Sequence, residues 1–160
     1  MKIAWFSPLP PERSGIADFS AELLPELAQL VDVTVFHPTP EQVTADLHAH
    51  FEIAPLDSYP ERQWEFDLPL YQMGNSPLHA PLYAMLCRYP GVVELHDFVL
   101  HHFMEQQDYR RELGYALDVA AVWDQRFGRN TPDRDTIPLN NRVIDSSLGI
   151  ITHNHYAAQK

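Results

Sequence analysis

Residues Lys2–Phe36, KIAWFSPLPPERSGIADFSAELLPELAQLVDVTVF, decide the fold class. Lys2 to Phe6 is a short apolar run, long enough for a strand and too short for a buried helix. The loop Ser7-Pro8-Leu9-Pro10-Pro11-Glu12-Arg13-Ser14-Gly15 follows. Ile16, Phe19, Leu23, Leu27 and Leu30 then recur at three- and four-residue steps, with Leu24 widening the stripe, which is the pattern of an amphipathic helix. Pro25 lacks an N–H and is expected to kink or break that helix. Val33 to Phe36 reads as a second buried strand. Strand, loop, helix and strand in this order open a parallel α/β sheet.

Pro40 to Leu47 reads as a short helix in a segment of weak periodicity, and Asp57 to Phe66 as irregular chain. Leu68 to Gln72 is the next strand. Ser76 and Pro77 suit the N-cap and first position of a helix striped by Leu78, Leu82 and Leu86, which Pro90-Gly91 ends. Val92 to Leu95 is a strand that runs into His96-Asp97. Val99 to Glu105, Gly114 to Phe127 and Asn140 to Ser147 read as helices, Asn130 to Pro138 as a loop, and Gly149 to Thr152 as the last strand. Asn154 reads as the cap of one more helix, cut short by the stop at Lys160. The expectation is one α/β domain over 1–160, a Rossmann-like, doubly wound parallel sheet with strands buried on both faces.

The bulk numbers narrow the function. At 45% hydrophobic and 21% charged, the 160 residues have the composition of one folded domain. A net charge of -11 repels phosphate backbones and argues against general nucleic-acid binding. The single cysteine, Cys87, excludes an internal disulfide and a CxxC motif. It falls in an apolar helical pattern and is expected to be buried. The N-terminal apolar run is too short for a signal peptide or membrane span, so the chain reads as cytoplasmic with no segment that indicates membrane contact.

Polar and glycine-rich chemistry gathers in four segments: Ser14-Gly15, Gly74-Asn75-Ser76, His96-Asp97 and His153-Asn154. Each follows an expected strand or its loop. In a parallel sheet those positions share the carboxyl edge, where ligands of open α/β sheets bind. Gly15 at a helix start allows close approach of a phosphate to free N–H groups, although a simple turn glycine explains it equally well. Neither G-x-G-x-x-G nor G-x-x-x-x-G-K-[ST] occurs, which argues against a dinucleotide-dependent dehydrogenase or a P-loop NTPase. His96 can hydrogen-bond a sugar hydroxyl or transfer a proton, with Asp97 orienting it. His96, Asp97, His101, His102, His153 and His155 include metal-ligand types, but their spacing matches no standard zinc pattern, and no metal site is assigned. Asp133-Arg134-Asp135 resembles a metal-diphosphate D-x-D, yet its proline-flanked loop favours a solvated turn. Arg110, Arg111 and Arg126 read as helix-surface charges.

The opening Ile3 to Asp18, together with Gly74-Asn75-Ser76-Pro77-Leu78-His79, Pro90 to Asp97 and Ile150 to Asn154, resembles in order the N-terminal domain of family 4 glycosyltransferases of GT-B fold. The resemblance implies one half of a GT-B architecture, with the C-terminal nucleotide-sugar domain in cis or on a separate chain. It implies retaining, metal-independent transfer from a nucleotide-sugar to an acceptor, with no cofactor beyond that co-substrate. By resemblance Gly15, with Ser14, lies against the donor diphosphate, His96 contacts the transferred sugar, and Asn75, Asp97, His153 and Asn154 line the cleft. Alone, the chain is expected to be inactive. Two other readings stay open: a non-catalytic binding or regulatory module, and a metal-dependent hydrolase built on the His-rich segments.

Overall fold

The computed structural model describes residues 1–117 and 137–159. The expected helix beyond 117, most of the Asn130–Pro138 loop, Arg126, Asp133-Arg134-Asp135 and Lys160 lie outside the described residues.

In chain order the elements are β1 (Lys2–Phe6), α1 (Gly15–Leu27), β2 (Asp32–His37), α2 (Ala45–His50), β3 (Glu52–Pro55), α3 (Tyr59–Arg62), β4 (Leu68–Met73), α4 (Ala80–Leu86), β5 (Gly91–Leu95), α5 (His101–Glu105), α6 (Tyr109–Ala116), α7 (Asn141–Asp145), β6 (Ser147–Thr152) and α8 (His155–Ala158). The six strands among the described residues form one sheet in the order β3-β2-β1-β4-β5-β6, with every pairing parallel. This is the Rossmann-like doubly wound arrangement, and strand order reverses between β1 and β4.

Successive strand residues face opposite sides, so each strand feeds two cores. On one side Phe6 stacks on Tyr71 and Phe36 at ring-centroid distances of 4.4 and 5.4 Å, and Tyr59 meets it edge-on at 4.9 Å. Leu82, Leu86, Phe103 and Val143 from α4, α5 and α7 close that core. On the other side Trp5 and Val35 pack beneath Leu24 of α1 and Leu47 of α2. Among the described residues no helix is long and apolar enough to cross a membrane.

Several local expectations change. α1 continues through Pro25, because the proline sits exposed in its last turn and Ala28 N–H still reaches the Leu24 carbonyl at 2.9 Å. The helix ends at Leu27, which leaves Leu30 exposed. The expected Pro40–Leu47 helix is a 3₁₀ turn over Pro40–Gln42 followed by α2. Asp57 to Phe66 is a chain of short helical turns, pinned where Tyr59 buries its ring against Phe6 and Phe36. β3 is an additional strand. Cys87 is exposed, because it caps α4 one step beyond the buried Leu86.

Candidate functional site

The crevice at the reversal of strand order lies between the loop after β1 and the loop after β4. Ser14 caps α1 by accepting from Ile16 N–H at 3.2 Å. The side chain of Ile16 then crosses to Gly74: a Cβ built on Gly74 would lie 2.3 Å from Ile16 Cδ1. A side chain at position 74 would have to push the tip of Ile16 aside, so glycine is what lets the first turn of α1 and the β4 rim sit this close. The Asp97 carboxylate ties the third loop in, accepting from Asn75 N–H at 2.8 Å, and Asn75 Oδ1 in turn accepts from Phe103 N–H at 2.9 Å. Gly15 itself is exposed, and a Cβ on it would meet nothing within 4 Å.

From this crevice the rim continues to β6. His96, just past β5, and His153, just past β6, lie ring to ring with centroids 4.6 Å apart. Phe19 of α1 meets both edge-on, at 5.0 and 5.7 Å. Beneath them are two polar side chains that sequence reasoning missed. Gln72 and Glu94 face each other in register on β4 and β5, on the α1 side of the sheet, and both are buried. Gln72 Nε2 donates to Glu94 Oε2 at 2.8 Å, and Gln72 Oε1 lies 2.6 Å from His96 Nε2. Glu94 Oε1 is 3.4 Å from His153 Nε2. Burial first, and then the neighbouring His153, lowers the His96 pKa from the ordinary histidine value, against a smaller opposing pull from Glu94 and Asp97. The readable signal was a glutamate and a glutamine inside strands otherwise buried on both faces, where charged residues are rare.

Of the expected residues, the structure gathers Ser14, Gly15, Asn75, His96, Asp97 and His153 on the carboxyl side of one sheet. Asn154 is exposed and caps α8 by accepting from Ala157 N–H at 2.8 Å. His101 lies elsewhere, buried with its Nε2 on the Ile137 carbonyl at 2.6 Å. His102 and His155 are exposed. The one His/Cys/Asp/Glu group among the described residues that could hold a metal ion is Glu94, His96 and His153, whose ligand atoms lie within 4.8 Å of one another. A separate cleft of about 410 Å³ sits past β2 and β3, lined by prolines, Leu56 and Met85 with the carboxylates of Glu41 and Asp57.

His79 supports the rim from below. Its Nδ1 meets the Gln72 carbonyl at 3.0 Å, while Nε2 is buried with no hydrogen-bond partner among the described residues. Burial lowers its pKa from 6.5 to about 4. Above 6.5 both folded and unfolded chains carry it neutral. As pH falls through that value the unfolded chain takes up the proton first, so stability drops until about pH 4 and then levels off for this group. The loss corresponds to about 3 kcal/mol. Urea unfolding at pH 7 and pH 4.5 should show His79→Asn, which keeps a donor toward Gln72, losing less stability between the two pH values than the native chain by about 2 kcal/mol, since the full loss is reached only below pH 4. Equal losses would place His79 in a more polar setting.

Comparison with protein-family models, curated proteins and solved structures finds no match for this chain.

Proposed function

We propose that this chain is the acceptor-side, Rossmann-like half of a two-domain glycosyltransferase of cytoplasmic setting. A sugar would move from a nucleotide-sugar to an acceptor, with retention of configuration and without a metal. The observation that carries this reading is the convergence of four sequence-distant loops, after β1, β4, β5 and β6, on one carboxyl rim at a reversal of strand order. The order of those motifs, set out above, supports the same reading.

In this reading His96 contacts the transferred sugar and Asn75, Asp97, His153 and Asn154 line the cleft. The positive end of α1 at Gly15 faces the donor diphosphate, although Ser14 Oγ already takes the Ile16 N–H and Asp18 in that turn weakens the site for an anion. A donor-side domain, in cis or as a separate chain, faces the rim and supplies the charge stabilisation and water exclusion on which most of the rate depends. The 160-residue chain should therefore show little or no turnover when assayed with nucleotide-sugars and candidate acceptors. Turnover at about 1 s⁻¹ or faster, the ordinary enzyme range, would overturn the half-enzyme reading.

A further inference from the structure

The buried Gln72–Glu94 pair has a consequence for what the rim can recognise. Gln72 turns its NH₂ end to Glu94, whose Oε2 accepts from Nε2 at 2.8 Å. The carbonyl end of Gln72 must then face His96, and at 2.6 Å from Nε2 it can only accept. We propose that Gln72 and Glu94 are positioning residues that lock His96 as the Nε2–H tautomer, so that its free Nδ1 lone pair accepts a hydrogen bond from a ligand hydroxyl.

This deepens the sugar-binding reading and rests on it for the identity of the ligand, a neutral polyol at this point of the rim. The charges agree with that class. Asp97 and Glu94 place two carboxylates beside or beneath the imidazole pair, and burial disfavours the charged form of His96. An anionic group is therefore disfavoured here. Chelation of a cation by Glu94, His96 and His153 is the competing use of the same atoms. The Gln72 bonds count against it, since they already occupy His96 Nε2 and Glu94 Oε2.

The test is a long-range ¹H–¹⁵N spectrum of the full chain labelled on histidine nitrogen, at pH 7.5 without ligand. His96 should carry its proton on Nε2, with that proton in slow exchange with water and no detectable Nδ1–H form. Finding His96 as Nδ1–H or as imidazolium would overturn the proposal. Glu94→Gln no longer dictates which way the Gln72 amide turns, so the Nδ1–H form should rise from undetected to a population comparable with the other. Gln72→Met should abolish the slow exchange. Should either variant fail to fold, the native spectrum alone decides. One equivalent of zinc should leave the His96 Nε2–H signal in place, whereas saturation at one equivalent with both His96 and His153 shifted would establish the chelate and overturn the tautomer lock. Since the tautomer is read with no sugar present, its failure leaves the glycosyltransferase reading standing. A failure of sugars to shift His96 leaves the tautomer standing and removes the ligand assignment.

Discussion

Phe6→Ala should cost the domain about 4 kcal/mol, a large share of the roughly 5–15 kcal/mol that holds a domain together. Phe6 is fully buried at the centre of the sheet. It touches one ring from each neighbouring strand, Phe36 on β2 and Tyr71 on β4, and Tyr59 from the side. Truncation removes the ring that Tyr59 of α3 meets on the sheet and leaves a cavity that three rings, each held by other neighbours, cannot easily close. Tyr71 is anchored through its hydroxyl on the Tyr89 carbonyl at 2.7 Å, and Tyr59 packs on Phe66 and Tyr89. The aromatic contacts add about 0.5–1.5 kcal/mol per pair beyond area burial. By contrast, the exposed Arg62–Glu65 pair is expected to contribute about 1 kcal/mol or less, so the ring layer decides stability on this side. Urea unfolding checks this, and a loss under about 1 kcal/mol would mean that the layer is not packed as described.

Gly91→Ala should cost about 3 kcal/mol, at the upper end of ordinary overpacking. Gly91 opens β5 beside β4. A Cβ there would lie 2.4 Å from the Pro69 carbonyl oxygen and 2.8 Å from both Pro69 Cγ and Tyr71 Cε2. The first of these is backbone in the middle of the sheet, so relief requires β4 and β5 to part. At Gly74 a Cβ would meet first the flexible tip of Ile16, with Asp97 Oδ2 and His79 Nε2 only at 3.1 and 3.2 Å, so the milder outcome there is the internal control. Thermal or urea unfolding of both alanine variants should rank Gly91→Ala as clearly the more damaging. The reverse ranking would contradict the β4–β5 packing.

Much of this fold was legible because the inner strands are apolar on both faces. Lys2–Phe6, Val33–Phe36, Leu68–Gln72 and Val92–Leu95 each stand out against turn residues. β3 did not, because Glu52-Ile53-Ala54-Pro55 is a four-residue edge strand with a proline at its end, which reads as loop until β2 is seen to pair with it. The rim was legible as a list of loop residues, since the carboxyl-edge rule places whatever follows each parallel strand on one side. Its floor was not. Gln72 and Glu94 were absorbed into apolar runs, and their partnership depends on the register between two strands 22 residues apart, which local pattern does not carry. Cys87 misled for a related reason: helical periodicity sets a face, but not the residue at which the helix stops.

The most direct measurement is a chemical-shift map of the ¹⁵N-labelled chain titrated with nucleotide-sugars and with free sugars. If one rim binds them, Gly15, Asn75, His96 and His153 should shift together along a single saturation curve, and His96→Ala should weaken that curve at least tenfold while leaving the rest of the spectrum in place. Shifts confined to the cleft beyond β2 and β3, or no saturable shift with any of these compounds, would contradict the account.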